Sequence, residues 1–511
     1  METSGRNHGR PTDGELDAGE GKRHKLTTDR LSELPDLALV HILSLLYTEE
    51  AAKASVLSKR FNSLCNSVDS LNLTDEFSGK KGEIFIKFVD DALGFCRRKF
   101  IHKFSLEFDY EYTYKKAVDR WLEFVAQKQV KSLKLDFNHK RRCQMHLNWI
   151  ADTTYVLSNI LHENVNLEEL VTCSCDFPIQ TDISCRRLRF LSISQSRLDA
   201  ELFSRILGGC SVLETLELRH CTGFDKLKIN SSSLRVLRIV GEQLTSFWPI
   251  IGENSVLELS GPYLVSLEVS GTLYKTKFRL TDVGSLVSAV MTFTIKPPLG
   301  SGSKALQVAE EEIAREVLES LRCVKQVTIG GSIIKGLSKH EDYNLSSPLS
   351  KLRSLTLCIP ITEWSQLRIA TLLNSSPYLE SLVIELSYCA AMCVVEHAKV
   401  TDDKYYWKSW STISRCPLLH LKTVKLVGFQ VSCQSMKPIF EFLEFLLRNS
   451  KALEEIVIHA SRYVTRAALD AAMKLLDIPT ASPDVIVQFE PPHLWIDPLC
   501  MYKELAPWFF T

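Results

Sequence analysis

The sequence predicts an α/β protein: a three-helix unit near the N-terminus, then a solenoid with a curved parallel sheet inside and helices and loops outside. Three observations carry that prediction. Apolar residues recur at helical spacing between Asp29 and Leu71. A six-residue pattern, apolar-x-x-apolar-x-apolar, returns many times between Val130 and Ile458. Between its copies stand segments with helical periodicity or turn residues, such as Gly208-Gly209 after Leu198–Leu207.

Composition excludes several classes. Lys+Arg and Asp+Glu each total 61, so the formal net charge is zero. A general binder of nucleic acid or anionic membrane carries a basic excess, which is absent here. No apolar run reaches the roughly eighteen residues of a membrane span. The first 25 residues have no apolar core and do not read as a secretory signal. The fifteen cysteines lack the spacing of a disulfide framework and are expected to be reduced and packed as small hydrophobes. The expectation is a soluble protein of the nucleus and/or cytoplasm.

Residues 1–28 are rich in Gly and charged side chains and are expected to be disordered. Lys22-Arg23-His24-Lys25 within them reads as a solvated charge cluster rather than an import patch. In 29–71, Pro35 and Asp36 suit a first helical turn, where proline loses no needed hydrogen bond and a carboxylate meets the positive helix end. Leu39, Ile42, Leu43 and Leu46 share one face, and Leu37, Val40 and His41 widen the apolar surface onto a second. Thr48 can cap a second helix with Glu49 and Glu50 in its first turn. Val56, Leu57, Phe61, Leu64 and Val68 mark a third.

Leu34-Pro35-Asp36, Ile42-Leu43-Ser44-x-Leu46 and Ser55-Val56-Leu57-Ser58-Lys59-Arg60-Phe61 resemble the F-box, particularly its plant form. Two positions depart from that pattern: Phe61 stands where tryptophan is usual, and Cys65 replaces a second tryptophan. The resemblance implies docking on a Skp-type adaptor and, through it, a cullin ubiquitin ligase. It assigns adaptor contact to Leu34, Pro35, Ile42, Leu43, Leu46, Val56, Leu57 and Phe61, some of which must instead hold the helices together.

Residues 72–412 form the expected solenoid, with irregular insertions. Leu213-Glu-Thr-Leu216-Glu-Leu218-Arg-His-Cys221 fits the leucine-rich-repeat formula through its ninth position, with Gly223 where another leucine belongs. The core pattern starts also at Val130, Leu188, Leu234, Leu264, Val324, Leu352 and Leu379, and a partial copy starts at Leu167. Its spacing stretches around residues 300 and 400. Strand alternation turns the two later apolar residues inward and the residues between and after them outward. Glu217, Arg219, Arg238, Glu268, Glu385 and Lys425 are therefore the candidate contacts for an unknown protein substrate, with Thr215, Thr356 and His459 in similar outward positions. Pro297–Ser303 reads as a loop, Gly330-Gly331 as a turn and Ser332–Ser347 as an irregular insertion.

Residues 413–460 hold two more copies, from Leu421 and Leu453, around a helix at Phe440–Asn449. With Tyr406-Trp407 upstream, this block resembles the FBD region of plant F-box leucine-rich-repeat proteins and reads as a terminal repeat. Residues 461–511 begin with a helical pattern, end in a Trp-, Phe- and Pro-containing tail and are expected to cap the last coil.

Catalytic and metal signals are incomplete. Cys389, Cys393 and His397 fall four apart, and Cys173, Cys175 and Cys185 cluster, but neither set has a fourth ligand. Gly300–Ser303 lacks the Gly-Lys end of a phosphate loop, and no nucleophile-elbow or zincin motif occurs. No cofactor and no metal are expected, and the work implied is non-catalytic: the substrate receptor of a ligase. Other readings stay open: a leucine-rich-repeat scaffold with a degenerate F-box, a receptor responding to a small molecule, or, weakest, an enzyme.

Overall fold

Three short helices open the chain, and each end is set by a local contact. The computed structural model describes residues 31–75 (32 excepted), 82–96, 100–137, 154–157, 165–177, 184–242 (225 excepted), 256–273, 277–295, 303–337, 349–386 (360 and 362 excepted), 418–429, 437–460 and 478–490. Helix α1 (Asp36–Leu45) starts directly after Pro35, whose φ is −58°. Arg60 clamps that start: its Nη2 and Nε donate to Asp36 Oδ1 at 2.6 and 2.9 Å, and Nη2 donates to the Leu34 carbonyl at 2.7 Å. Helix α2 (Thr48–Ser55) begins behind Tyr47, whose N–H donates to the Glu50 carboxylate at 3.3 Å. Thr48 is thus the first helical residue and not the cap. Helix α3 (Lys59–Ser67) is capped by Ser58 Oγ, which accepts from the Phe61 N–H at 3.1 Å.

Leu39, Leu43, Phe61, Leu64 and Val68 form the core of this unit, with Leu34, Val40, Leu46, Ala54 and Cys65 packed against it. Val56 and Leu57, which helical periodicity placed in the third helix, lie in the turn before it. The chain's two compact units divide between Val68 and Asp69, so Leu71 belongs to the second one.

The second unit is built on parallel strands taken in chain order. They are β1 (Ser70–Thr74), β2 (Lys103–Glu107), β3 (Ser132–Asp136), β4 (Tyr155–Val156), β5 (Glu169–Cys173), β6 (Cys175–Asp176) and β7 (Phe190–Ser194). Then follow β8 (Thr215–Arg219), β9 (Lys226–Lys228), β10 (Val236–Glu242), β11 (Val256–Ser260), β12 (Ser266–Leu273), β13 (Lys277–Thr281) and β14 (Ser288–Ile295). The last are β15 (Gln326–Gly330), β16 (Ser354–Cys358), β17 (Ser381–Glu385), β18 (Thr423–Phe429), β19 (Glu455–Ala460) and β20 (Ile486–Glu490). Fifteen of them make one sheet in the order β1-β2-β3-β5-β7-β8-β10-β12-β14-β15-β16-β17-β18-β19-β20.

Its register matches repeat to repeat. Leu216 pairs with Leu191 and Leu237, and Leu237 with Leu267; one step along, Leu218 pairs with Ile193 and Ile239. These ladders are buried, and each side chain gains about 1.5–3 kcal/mol from leaving water. Every repeat copy read from the sequence lies on such a strand. Four strands of this fifteen-stranded sheet escaped that reading. In β14 the pattern is Leu286-x-x-Ala289-x-Met291, which fills the stretched spacing near residue 300; β1, β2 and β20 are the others.

Helices pack behind this sheet through spaced apolar residues. They are α4 (Glu83–Phe95), α5 (Lys115–Gln127), α6 (Ala200–Gly209), α7 (Ser303–Ser320), α8 (Gly331–Lys335), α9 (Glu363–Asn374) and α10 (Lys437–Asn449). In α4, Phe85, Val89 and Leu93 are buried four apart, and Trp121 Nε1 of α5 donates to Asp90 Oδ1 at 2.7 Å. Asp199 caps α6 by accepting from the Leu202 N–H at 2.7 Å. Between β8 and β14 the chain instead alternates into a second parallel sheet, β9-β11-β13, because Lys226–Lys228, Val256–Ser260 and Lys277–Thr281 carry period-two burial.

The supposed irregular insertion begins with α8: Ile333 and Ile334 are buried, and Ser332 Oγ accepts from the Ile295 N–H at 3.1 Å. Gly331 accordingly opens a helix rather than a turn. The N-terminal tail, residues 297–302, Ser338–Ser347, the Cys389–His397 group, Tyr406-Trp407, the helical pattern after 460 and the final tail lie outside the described residues.

Two glycines limit how closely the strands stack. Gly241 and Gly271 face each other across β10 and β12, with φ of +101° and +99°. A Cβ on Gly271 would sit 2.3 Å from the Gly241 carbonyl oxygen. Gly271→Ala is expected to destabilise by more than about 1 kcal/mol, because the left-handed φ and the backbone clash add. Gly284→Ala, with nothing within 4 Å, should stay within about 0.5 kcal/mol. Urea unfolding midpoints of the two variants measure the contrast.

Candidate functional sites

On α1 the helical repeat separates two stripes. Leu39 and Leu43 face the core, while Leu37, His41 and Leu45, spaced four apart, are exposed together. Leu37 is 85% exposed, as is Val56 in the turn before α3, and Leu57 and Leu45 are nearly as open. The adaptor candidates therefore divide. Pro35, Ile42, Val56 and Leu57 are exposed; Leu34 and Leu46 are half-buried; Leu43 and Phe61 belong to the core and are not available as contacts. Leu37 and Leu45 are the exposed members that the sequence-level set left out. The signal for them was their spacing from His41, read off a helix with Leu39 and Leu43 inward.

On the solenoid, the outward side chains of β8, β10 and β12 form a charge network. Arg238 Nη1 donates to Glu217 Oε1 at 2.6 Å, and Arg219 Nη2 lies 3.0 Å from Glu217 Oε2. Arg238 Nε is 3.5 Å from Glu268 Oε2, and Ser192 Oγ reaches Glu217 Oε2 at 3.5 Å. Glu217 was expected to be an exposed contact, yet it is only 5% exposed, because two guanidinium groups fold over it. Burial disfavours its ionised form, but hydrogen bonds from Arg238 and Arg219 outweigh that, and its carboxyl is held below the ordinary value. Arg219, Arg238 and Glu268 remain partly open.

Glu385 and Lys425 stand apart from this cluster. Glu385 Oε2 accepts from the Cys358 thiol at 3.2 Å, and Lys425 is exposed between Val383 and Val457. Five strand steps separate Lys425 from Glu268, about 24 Å at ordinary strand spacing. The six substrate candidates thus do not form one site.

Redox and metal chemistry find no support in the described side chains. Burial pushes the Cys221 thiol up to about 12, and its S–H donates to the Ile193 carbonyl at 3.2 Å, the contact of a packed thiol. Cys175 is fully buried, and Cys185 and Cys210 are buried free thiols joined by a side-chain hydrogen bond. Among the described residues no three His, Cys, Asp or Glu side chains are placed to share a metal, and no helix is long and apolar enough to cross a membrane.

Comparisons with known proteins fit both surfaces. Residues 31–73 match the F-box domain family, and residues 98–482 match the family described as At1g61320/AtMIF1, LRR domain. Among similar Arabidopsis thaliana proteins is the putative F-box/LRR-repeat protein At3g18150, 26% identical over 444 residues, covering 86% of this chain and 88% of the relative. The F-box/LRR-repeat protein At3g59200 is 27% identical over 504 residues, covering 91% and 88%. The putative F-box/FBD/LRR-repeat protein At5g22610 is 24% identical over 476 residues, covering 89% and 88%.

The buried carboxylate gives a pH signature. Because the folded state lowers its pKa, ionised Glu217 contributes stability that is present above the ordinary value of 4.5 and is lost as pH falls through the folded value. Glu217→Gln should cost about 1–3 kcal/mol at pH 7, and the difference from the natural protein should shrink below pH 4.5. Urea midpoints at pH 7 and in the acid range read that convergence.

Proposed function

The chain belongs to the At1g61320/AtMIF1 leucine-rich-repeat family and carries an F-box domain, and from that premise we propose that it is the substrate-recognition subunit of a Skp–cullin–F-box ubiquitin ligase, acting in the nucleus and/or cytoplasm. The observation that carries the reading is the apolar surface left over on the helical unit. Leu39, Leu43, Phe61, Leu64 and Val68 already fill its core, yet Leu37, Leu45, Val56 and Leu57 stand in water. A cluster of that kind is costly unless a partner covers it.

The departures from the usual plant pattern do not alter that surface. Phe61 is in the core, and Cys65 is turned inward, with its thiol donating to the Ala51 carbonyl at 3.2 Å. Replacing tryptophan at these two positions changes internal packing and leaves the exposed set in place. The solenoid supplies a long face for a protein target, and a C-terminal FBD-like part continues it through β18, α10 and β19. The chain itself adds proximity and orientation to ubiquitin transfer performed by another enzyme, with no covalent step of its own.

The test is capture of a purified Skp-type adaptor by the full chain. Leu57→Asp and Leu45→Asp should each weaken capture at least tenfold while the melting curve stays that of the natural protein. Leu43→Ala should lower stability of the helical unit by about 2–5 kcal/mol, marking a core residue. No capture by the well-folded natural chain, or undiminished capture by both aspartate variants, would overturn the assignment.

A further inference from the structure

One edge of the long sheet carries a ladder of charges with a gap in it. In each coil the residue just after the first apolar repeat position stands where the strand begins. Its N–H donates to the carbonyl of its counterpart in the coil before. Lys131, Glu168, Arg189, Glu214 and Arg235 follow one another this way, at N–H···O distances of 2.8–2.9 Å. Their signs alternate, and Lys131 pairs with Glu168 at 3.3 Å and Arg189 with Glu214 at 2.8 Å. Arg353, Glu380, Lys422 and Glu454 alternate again at the far end, where Arg353 Nε meets Glu380 at 3.4 Å.

Between these runs the alternation fails. The ladder passes from Arg235 through Val265 and Val287 to Lys325 and Arg353, all exposed, with no carboxylate among them. Val265 is 38% exposed, and Tyr263 beside it is more open still. Among the described residues Arg235 Nη1 reaches only carbonyls, those of Ser232 at 2.6 Å and Tyr263 at 3.4 Å, and Lys325 has no ion pair. Arg322 and Lys351 in the adjoining turns are exposed and basic. The acid in these turns, Asp282, is engaged by Ser260 of the second sheet at 3.2 Å. A neutral chain has here concentrated cations around an apolar strip.

We propose that this edge binds an extended acidic peptide segment of a partner protein, laid across the strand starts with an apolar side chain over Val265 and Val287. The spacing fixes the pattern. Three strand steps put Arg235 and Lys325 about 14 Å apart, and the valines about midway. In an extended peptide, alternate residues share a face and residues four apart span about 13 Å. The fitting sequence is therefore acidic-x-apolar-x-acidic, and a third acid two residues on meets Arg353. This surface lies wholly within the solenoid and is independent of adaptor docking.

The probe is the fluorescein-labelled peptide acetyl-Gly-Glu-Ser-Leu-Ser-Glu-Ser-Glu-Gly-amide, followed by anisotropy with the full chain. Binding should weaken at least tenfold in Arg235→Glu/Lys325→Glu and at least threefold when the peptide's leucine becomes serine. It should also fall steeply between 50 and 500 mM NaCl, as screened charge pairs must. Arg235→Gln/Lys325→Gln, with a matched melting curve, gives the same direction if the double reversal does not fold. Equal binding by the natural chain and the Gln variant, or no binding by the natural chain at 1 mM peptide, overturns the proposal. So does equal binding of the lysine counterpart of the peptide, or equal displacement by a single-stranded oligonucleotide. A dimer by light scattering that these substitutions abolish would give the edge to a second copy instead and also overturn it. Adaptor capture by the same variants should be unchanged, which separates failure of this inference from failure of the ligase reading.

Discussion

Each coil of the solenoid can bury its two inward side chains only against the coils before and after it. That constraint orders the rest of the second unit. Fifteen strands run parallel in chain order, and the Leu191-Leu216-Leu237-Leu267 ladder continues as Ala289, Val327 and Leu355 without a break in register. Side-chain size can therefore vary from coil to coil while position cannot, since a slip of one residue would turn every apolar group outward. Thr172 shows how far identity yields: it sits fully buried in the second ladder, with no partner for its hydroxyl among the described residues. The close approach of Gly241 and Gly271 shows where identity does not yield.

The helical unit is under the opposite limit. Three helices of eight to ten residues enclose few positions, and five side chains fill them. Further apolar residues in so small a unit have to face out. A lone exposed leucine is ordinary, but α1 carries Leu37 and Leu45 on one stripe, and the turn between α2 and α3 adds Val56 and Leu57 in succession. The polar contacts that hold the unit, such as Arg60 to Asp36, lie at its surface and contribute modestly. Its packing and its exposed apolar set are thus separable, since different residues carry each.

Much of this fold was legible because the repeat writes its inward pair as leucine or a branched equivalent. Where that pair is Ala289 and Met291, or Phe104 and Leu106, the same geometry persists under a less recognisable spelling. The strands of the second sheet were hidden for another reason: KLK, VLELS and KFRLT are too short to announce themselves outside a repeat frame. At the candidate sites, alternation along a strand gave direction but not exposure. Glu217 points outward as read, yet Arg219 and Arg238 close over it. Val56 and Leu57 fit a helical period, but Ser58 caps the helix behind them, a signal that local hydrogen bonding outweighs apolar spacing.

Charge along the strands of this protein serves their register. Strands about 4.8 Å apart in parallel register bring the same repeat position together in every coil, so a single sign repeated down a ladder would repel itself. Equal totals of 61 cations and 61 anions are the global face of that local requirement. Along the open face it is met by Glu217, Arg238 and Glu268 in succession, and along the strand starts by Lys131, Glu168, Arg189 and Glu214. Neutral residues can satisfy the same requirement, as Val265 and Val287 do. Two adjoining cations do not, and where Lys325 stands beside Arg353 only Arg353 has a carboxylate partner, Glu380, among the described residues. The departure falls next to the apolar pair, and the two together set this edge apart from the paired runs on either side.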